Sequence, residues 1–198
     1  MDTAQALAFL LFAFIAAVTP GPSNTMILST GAAVGALKGI SCTVGAALGM
    51  GVMIVLSAFG VGEIVAAAPN VVIAMKVAGS LFLLWLAWQI VNAGTFEADS
   101  QMRPMGFLQA FLFQWLNPKG WLVAMSAGSI YFAPLQHNQI SGAFWMGTLF
   151  TAVAFPAGML WLGLGALMAR LLRSERSARL FNVAMAAALA ASVILVWR

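Results

Sequence analysis

Thr19-Pro20-Gly21-Pro22-Ser23-Asn24 interrupts an otherwise continuous apolar run from Ala4 to Ala36, and the fold turns on what that interruption does. Proline has no N–H and its ring clashes with the carbonyl four residues back, while glycine adds backbone freedom, so Pro-Gly-Pro does not persist inside a helix. The run therefore divides into two half-helices. Thr19 is suited to cap the second half and Pro20 to take its first helical position, which leaves N–H groups and a positive dipole end facing the gap. Such an end receives anions. Leu116-Asn117-Pro118-Lys119-Gly120 repeats the pattern in the fourth apolar segment: Asn117 can cap, Pro118 can start the half-helix and Lys119 adds a full charge. Paired breaks in corresponding segments of two halves are the best sequence pointer to the binding site of a membrane transporter.

Composition sets the environment. Of 198 residues 63% are hydrophobic and 7% charged, with mean hydropathy +0.99, whereas soluble domains carry roughly 25% charge. The chain reads as an all-α polytopic membrane protein. A net charge of +4 and a pI near 10 would point to nucleic acid in a soluble protein. Here the positive charge concentrates between Arg170 and Arg179, as cytoplasmic loop charge does, and no nucleic-acid partner is expected. The first 18 residues have a short apolar core, but Asp2 replaces the positive start of a signal peptide and hydrophobic segments follow to Trp197, so an uncleaved first span is expected. The single cysteine, Cys42, excludes an internal disulfide framework and a cysteine metal site. One histidine and five acidic residues leave the chain poor in metal ligands, and no cofactor is expected.

Six spans are expected. Segment 1, Ala4 to about Ala36, would be ~50 Å long as one straight helix against a hydrocarbon core of ~30 Å, which fits a broken span with an interfacial extension. Segment 2, about Gly39 to Val61, carries Gly45, Ala47, Gly49 and Gly51, small residues that let helix backbones approach. Segment 3, Val71 to Asn92, ends in Trp85, Trp88, Gln89 and Asn92, an interfacial anchor. Segment 4 runs from Phe107 to about Phe132, segment 5 from about Ile140 to Met168 with Pro156 as a kink, and segment 6 from Ala178 to Trp197.

Positive charge orients the spans. With the N-terminus outside, the cytoplasmic side holds Lys38, Arg103, Arg170, Arg173, Arg176 and Arg179, and the outer side Lys76 and Arg198. Both termini are then non-cytoplasmic, and His137 falls in an outer loop. A shift of 98 residues lays Thr19-Pro20 on Asn117-Pro118, Gly49 on Gly147 and Gly60 on Gly158. Three spans per unit require the second unit to be inverted, giving one transmembrane domain over 1–198 built from repeats of about 1–98 and 99–198.

At this point the sequence resembles the LysE/RhtB family of amino-acid exporters. The residues that carry the likeness are Thr19-Pro20-Gly21-Pro22-Ser23-Asn24, Lys38-Gly39, Gly45, Gly49 and Gly60, Ala78-Gly79-Ser80 with Trp85-Leu86-Ala87-Trp88, and Leu116-Asn117-Pro118-Lys119. It covers nearly the whole chain. The ending of segment 3 and the opening of segment 6, Leu180-Phe181-Asn182-Val183, look most like the cysteine/O-acetylserine exporter branch. Ser23 stands where members often have Asn or Asp, and Gly120-Trp121-Leu122 where many have a small residue and Phe. The resemblance implies a multi-pass protein of the bacterial inner membrane that works by antiport.

An amino-acid zwitterion needs both charges matched away from water. The expected substrate-binding residues are Thr19, Pro20, Gly21, Pro22, Ser23 and Asn24 at the first break, and Gln114, Asn117, Pro118 and Lys119 at the second. Half-helix N-termini and Lys119 suit the carboxylate; unwound carbonyls with Asn24, Asn117 and Gln114 suit the ammonium. Asp2, Glu63, Glu97, Asp99 and Glu175 all fall at segment ends or in loops, so no carboxylate awaits a second ammonium and a neutral side chain is favoured. The same scarcity leaves no intramembrane acid to carry a proton. An intramembrane enzyme lacks a nucleophile and base inside the spans. A cation transporter lacks ligands, and a non-transporting subunit leaves the paired breaks unexplained; these two are the alternatives. Partners are a small-molecule substrate and lipid, with homo-oligomerisation left open.

Overall fold

A computed structural model describes residues 3–92, 105–132, 139–171 and 174–197. Asp2, Glu97, Asp99, Arg103, His137, Arg173 and Arg198 lie outside the described residues, and with them part of the charge count. Every regular element among the described residues is helical: α1 Thr3–Val18, α2 Pro22–Ala58, α3 Val61–Ala66, α4 Pro69–Val91, α5 Phe107–Leu116, α6 Pro118–Ala127 with a π turn Gly128–Phe132, α7 Gln139–Leu171 and α8 Glu175–Val196. Four of these helices, α2, α4, α7 and α8, are long and apolar enough to cross a membrane, and α1 and α5 are shorter apolar helices. Leu7, Leu11, Leu37, Trp88, Leu122 and Leu180 are exposed large apolar side chains, the surface of a multi-pass protein whose solvent is lipid.

α2 is a hairpin. Gly35 has φ 80° and ψ 169°, a left-handed backbone that favours glycine. Thr30 Oγ1 lies 3.7 Å from Cys42 Sγ, whereas twelve residues of straight helix would part them by ~18 Å. The chain therefore turns back at Gly35 between arms 22–34 and 36–58. The turn falls where sequence separates segments 1 and 2. Sequence reading missed α3, which starts after Gly60 at φ 84°; a six-residue helix carries too little periodicity to be seen. α7 runs through Pro156 without leaving the helix. Lys76 sits inside α4, with its ammonium 5.8 Å from the centre of the Trp197 ring.

The packing is organised by α7. Phe9 and Ala13 of α1 share a core with Met146 and Phe150, and Gly31 of the first arm meets Leu162, so α1 and the first arm ascend α7 together. Gly39 meets Leu162, Thr43 meets Gly158 and Gly51 meets Gly147, so the second arm descends it. Along the other side of that arm Gly45 meets Phe107, Gly49 meets Phe111 and Gly128 meets Ser57. The α5–α6 pair therefore runs with the second arm and against α1. A side chain on Gly45 would enter the Phe107 carbonyl, and on Gly49 would lie 2.8 Å from both the Phe111 carbonyl oxygen and Gln114 Cγ. Small residues bring the backbones together where apolar burial cannot drive helices together in lipid.

This close approach is testable. Gly45→Ala should lower the thermal midpoint in detergent by several degrees, because overpacking costs about 1–3 kcal/mol. Gly163→Ala, where a methyl meets nothing within 4 Å, should not. Equal midpoints for the two variants would show that α2 and α5 do not pack through Gly45.

Candidate functional site

The two breaks meet. The first lies between Val18 and Pro22, the second at Asn117 between Leu116 and Pro118. Asn117 behaves as the sequence suggests, its side chain accepting the Lys119 N–H at 3.2 Å with Pro118 in the first helical position. The first break differs from expectation. Gly21, extended, is the residue before α2, and Pro22 rather than Pro20 takes the first position. Thr19 does not cap α2: its hydroxyl donates back to the Ile15 carbonyl, closing the last turn of α1. With two prolines to choose from, the helix starts at the later one, so Thr19 is too far upstream to reach its first turn.

The carbonyls released at the end of α1 are answered from across the gap. Asn24 Nδ2 donates to the carbonyls of Ala17 at 2.8 Å and Thr19 at 2.9 Å. The ammonium of Lys119, from the other break, donates to the same Thr19 carbonyl at 2.7 Å. Beside them Asn117 Nδ2 donates to Ser23 Oγ at 2.8 Å, Ser23 Oγ donates to Gln114 Oε1 at 2.9 Å, and Gln114 Nε2 donates to the Ala110 carbonyl at 3.0 Å. Gln114, Asn117 and Asn24 are all buried. Gly21 leaves the space for Lys119: a Cβ there would stand 3.1 Å from its Cδ and 3.3 Å from its Nζ.

A cavity opens between the breaks. Gly21, Ser23, Asn24, Gln114, Asn117 and Lys119 line it, six of the ten residues expected from sequence. Thr19 does not line it but accepts Lys119 and Asn24 at its carbonyl, and Pro20 and Pro22 shape the break without lining the cavity. Pro118 faces a separate crevice with Val72, Leu116 and Trp121. The cavity leaves about 60 Å³ to the centres of water-sized spheres, room for roughly four to six waters. Most of the remaining wall comes from the second arm of α2 and from α7, including Thr43, Ala46, Ala47, Phe150, Ala154 and Gly158, and Ala16, Ala17, Ile27, Gly120 and Val123 complete it. Sequence reading missed this wall. Its residues are mostly small and apolar, the composition of ordinary helix packing, and only the glycine spacing on the same arm hints that another element comes close.

Comparison with known proteins identifies the family. The family model described as LysE type translocator matches residues 14–196. The chain belongs to the LysE family of translocators. The cysteine/O-acetylserine efflux proteins of Escherichia coli (strain K12) and Shigella sonnei (strain Ss046) are each 28% identical to it over 179 residues, 90% of both chains. No solved structure matches the chain. This LysE-family protein is accordingly a translocator and not an enzyme, and both breaks fall inside the matched region.

Asn24 holds the released end of α1. Asn24→Ala should destabilise this translocator by about 1–3 kcal/mol, since it removes two hydrogen bonds worth about 0.5–1.5 kcal/mol each and takes the side-chain donor from the Ala17 carbonyl, while Lys119 still serves that of Thr19, read as a lower thermal midpoint in detergent. An unchanged midpoint would mean that those carbonyls find other donors and that Asn24 does not join the half-helices.

Proposed function

We propose that this LysE-family translocator exports small amino acids with neutral side chains across the bacterial inner membrane, binding them in the cavity between the two breaks. The observation that carries this reading is the Lys119–Thr19 contact: an ammonium from one break resting on a helix-end carbonyl of the other, beside the cavity. Without substrate, Lys119 and Asn24 share the Thr19 carbonyl. An entering zwitterion offers both complementary charges at once, its carboxylate drawing Lys119 and the first-turn N–H groups of α6, its ammonium taking over the Thr19 carbonyl. Ser23, Gln114 and Asn117 hold the two breaks in register while the exchange occurs. Pro20, Pro22 and Pro118 keep the backbone open.

The cavity's size and charge set the substrate class. Its one titratable side chain is Lys119, and no carboxylate lines it, so a second positive charge on the substrate would go unmatched. The efflux proteins of Escherichia coli and Shigella sonnei carry names that specify cysteine and O-acetylserine, small and neutral in the side chain. Proton antiport is the coupling this reading adopts, with Lys119 as the cavity group that can carry the proton. The architecture proposed is six spans as two inverted three-helix repeats. α1 with the first arm of α2 forms span 1 and α5 with α6 forms span 4, and their opposite directions support the inversion. In this orientation Lys38 and the Arg170–Arg179 region are cytoplasmic and both termini are not.

Transport into vesicles tests the reading. Labelled cysteine, serine and threonine should compete with one another and lysine should not, with uptake responding to an imposed pH gradient. Lys119→Met keeps the stem and removes the charge. It should weaken substrate binding ~10-fold to ~150-fold, the worth of a charge-assisted contact of about 1.5–3 kcal/mol, while the protein still inserts. Lys119→Arg should recover part of the loss, because a planar fork does not reproduce a compact ammonium. Unaltered affinity in Lys119→Met, or lysine competing as well as serine, would contradict the proposal.

A further inference from the structure

One hydroxyl on the cavity is unspent. Ser23, Asn24, Gln114, Asn117 and Lys119 each hold a hydrogen-bond partner. Thr43 also lines the cavity, is 1% exposed, and its Oγ1 has no hydrogen-bond partner. This departs from the habit of helical threonines, which donate to the carbonyl four residues back. Thr25, Thr30 and Thr151 all do so here, to Gly21 at 3.1 Å, Met26 at 2.9 Å and Gly147 at 2.8 Å. Buried hydroxyls without partners are rare enough to need a reason. Ser57 Oγ and Trp161 Nε1 are also without partners, but neither lines the cavity.

The position of Thr43 supplies the reason. It stands on the second arm of α2, among Ala46, Ala47 and the α7 residues Ala154 and Gly158, the wall that carries no charge. Gly158 leaves room for its methyl: a Cβ there would lie 2.7 Å from Thr43 Cγ2. The break residues match the carboxylate and ammonium that all amino acids share, so the opposite wall is what remains for the substrate's own side chain. We infer that Thr43 Oγ1 is the specificity-determining contact for a hydroxyl or thiol on the substrate's β-carbon. The inference rests on the exporter reading above and names the feature within its substrate class that the cavity selects. A site that hydrogen-bonds a substrate hydroxyl discriminates against the analogue lacking it, because the site's own polar group is then left unpaired.

The experiment compares serine, cysteine and alanine on the full-length protein in vesicles. Thr43→Val preserves shape and removes the hydroxyl. Apparent affinity for serine and cysteine should fall roughly tenfold while that for alanine is unchanged. Thr43→Ser should keep the preference for serine over alanine and Thr43→Ala should lose it, which decides the matter even where the valine variant fails to insert. A serine-to-alanine ratio that survives loss of the hydroxyl, or equal losses for all three substrates, would overturn the role given to Thr43. Unmodified protein that exports alanine and serine with equal affinity would overturn it too, while leaving the exporter reading in place. Protein that exports none of the three would sink the exporter reading itself.

Discussion

Inside a bilayer no water is available to backbone groups, so every helix interruption must be satisfied by protein. The first break frees carbonyls at the end of α1, and this chain answers them with one amide from the start of α2 and one ammonium from the second break. Asn24 and Lys119 converge on the Thr19 carbonyl. Insertion scales assign a lysine at the membrane centre about 2.5–3.5 kcal/mol of unfavourable free energy, and a carbonyl at the negative end of a helix is one of the few neutral partners able to offset it. The charge and the break thus stabilise each other, and neither is well placed without the other.

That mutual dependence explains the packing. For Lys119 to reach Thr19, the pair α5–α6 must approach the first break closely, and the glycines of the second arm of α2 allow it. Gly49 sits against Phe111 and Gln114, and Gly21 gives way to the lysine stem itself. Gln114 is then carried to Ser23, and Ser23 to Asn117, so that neutral hydrogen bonds brace the charged contact. The arrangement is also one that a ligand can enter. In the proposed function a zwitterion exchanges with this contact: its carboxylate draws the Lys119 ammonium, and its own ammonium takes that place on the Thr19 carbonyl beside the Asn24 amide.

Much of this was legible in the sequence because prolines act locally. Pro22 and Pro118 each suit the first position of a helix, where the missing N–H costs nothing, and both breaks appear within a residue or two of where the motifs stand, whereas the isolated Pro156 stays inside α7. Thr19 was misread for the same local reason: two prolines in three residues offer two helix starts, and only tertiary contact selects between them. The hairpin turn at Gly35 agrees with the boundary expected between the first two segments. What sequence withholds is pairing at a distance. That Lys119 donates to Thr19, one hundred residues away, or that Thr43 lines the cavity with its hydroxyl unpartnered, follows from how α2, α6 and α7 stack. Alanines and a threonine in an apolar helix carry no mark that separates a cavity wall from a packing face.

The central claim is that the two breaks touch and that substrate binds between them. It is tested most directly by placing cysteines at Ser23 and Asn117, whose side chains are in hydrogen-bond contact at 2.8 Å, in a background where Cys42 is replaced by alanine. A short thiol-to-thiol reagent should join the pair rapidly in membranes, and serine should slow the reaction by filling the cavity. A pair that fails to cross-link, or that cross-links at the same rate with and without every neutral amino acid tried, would contradict the account.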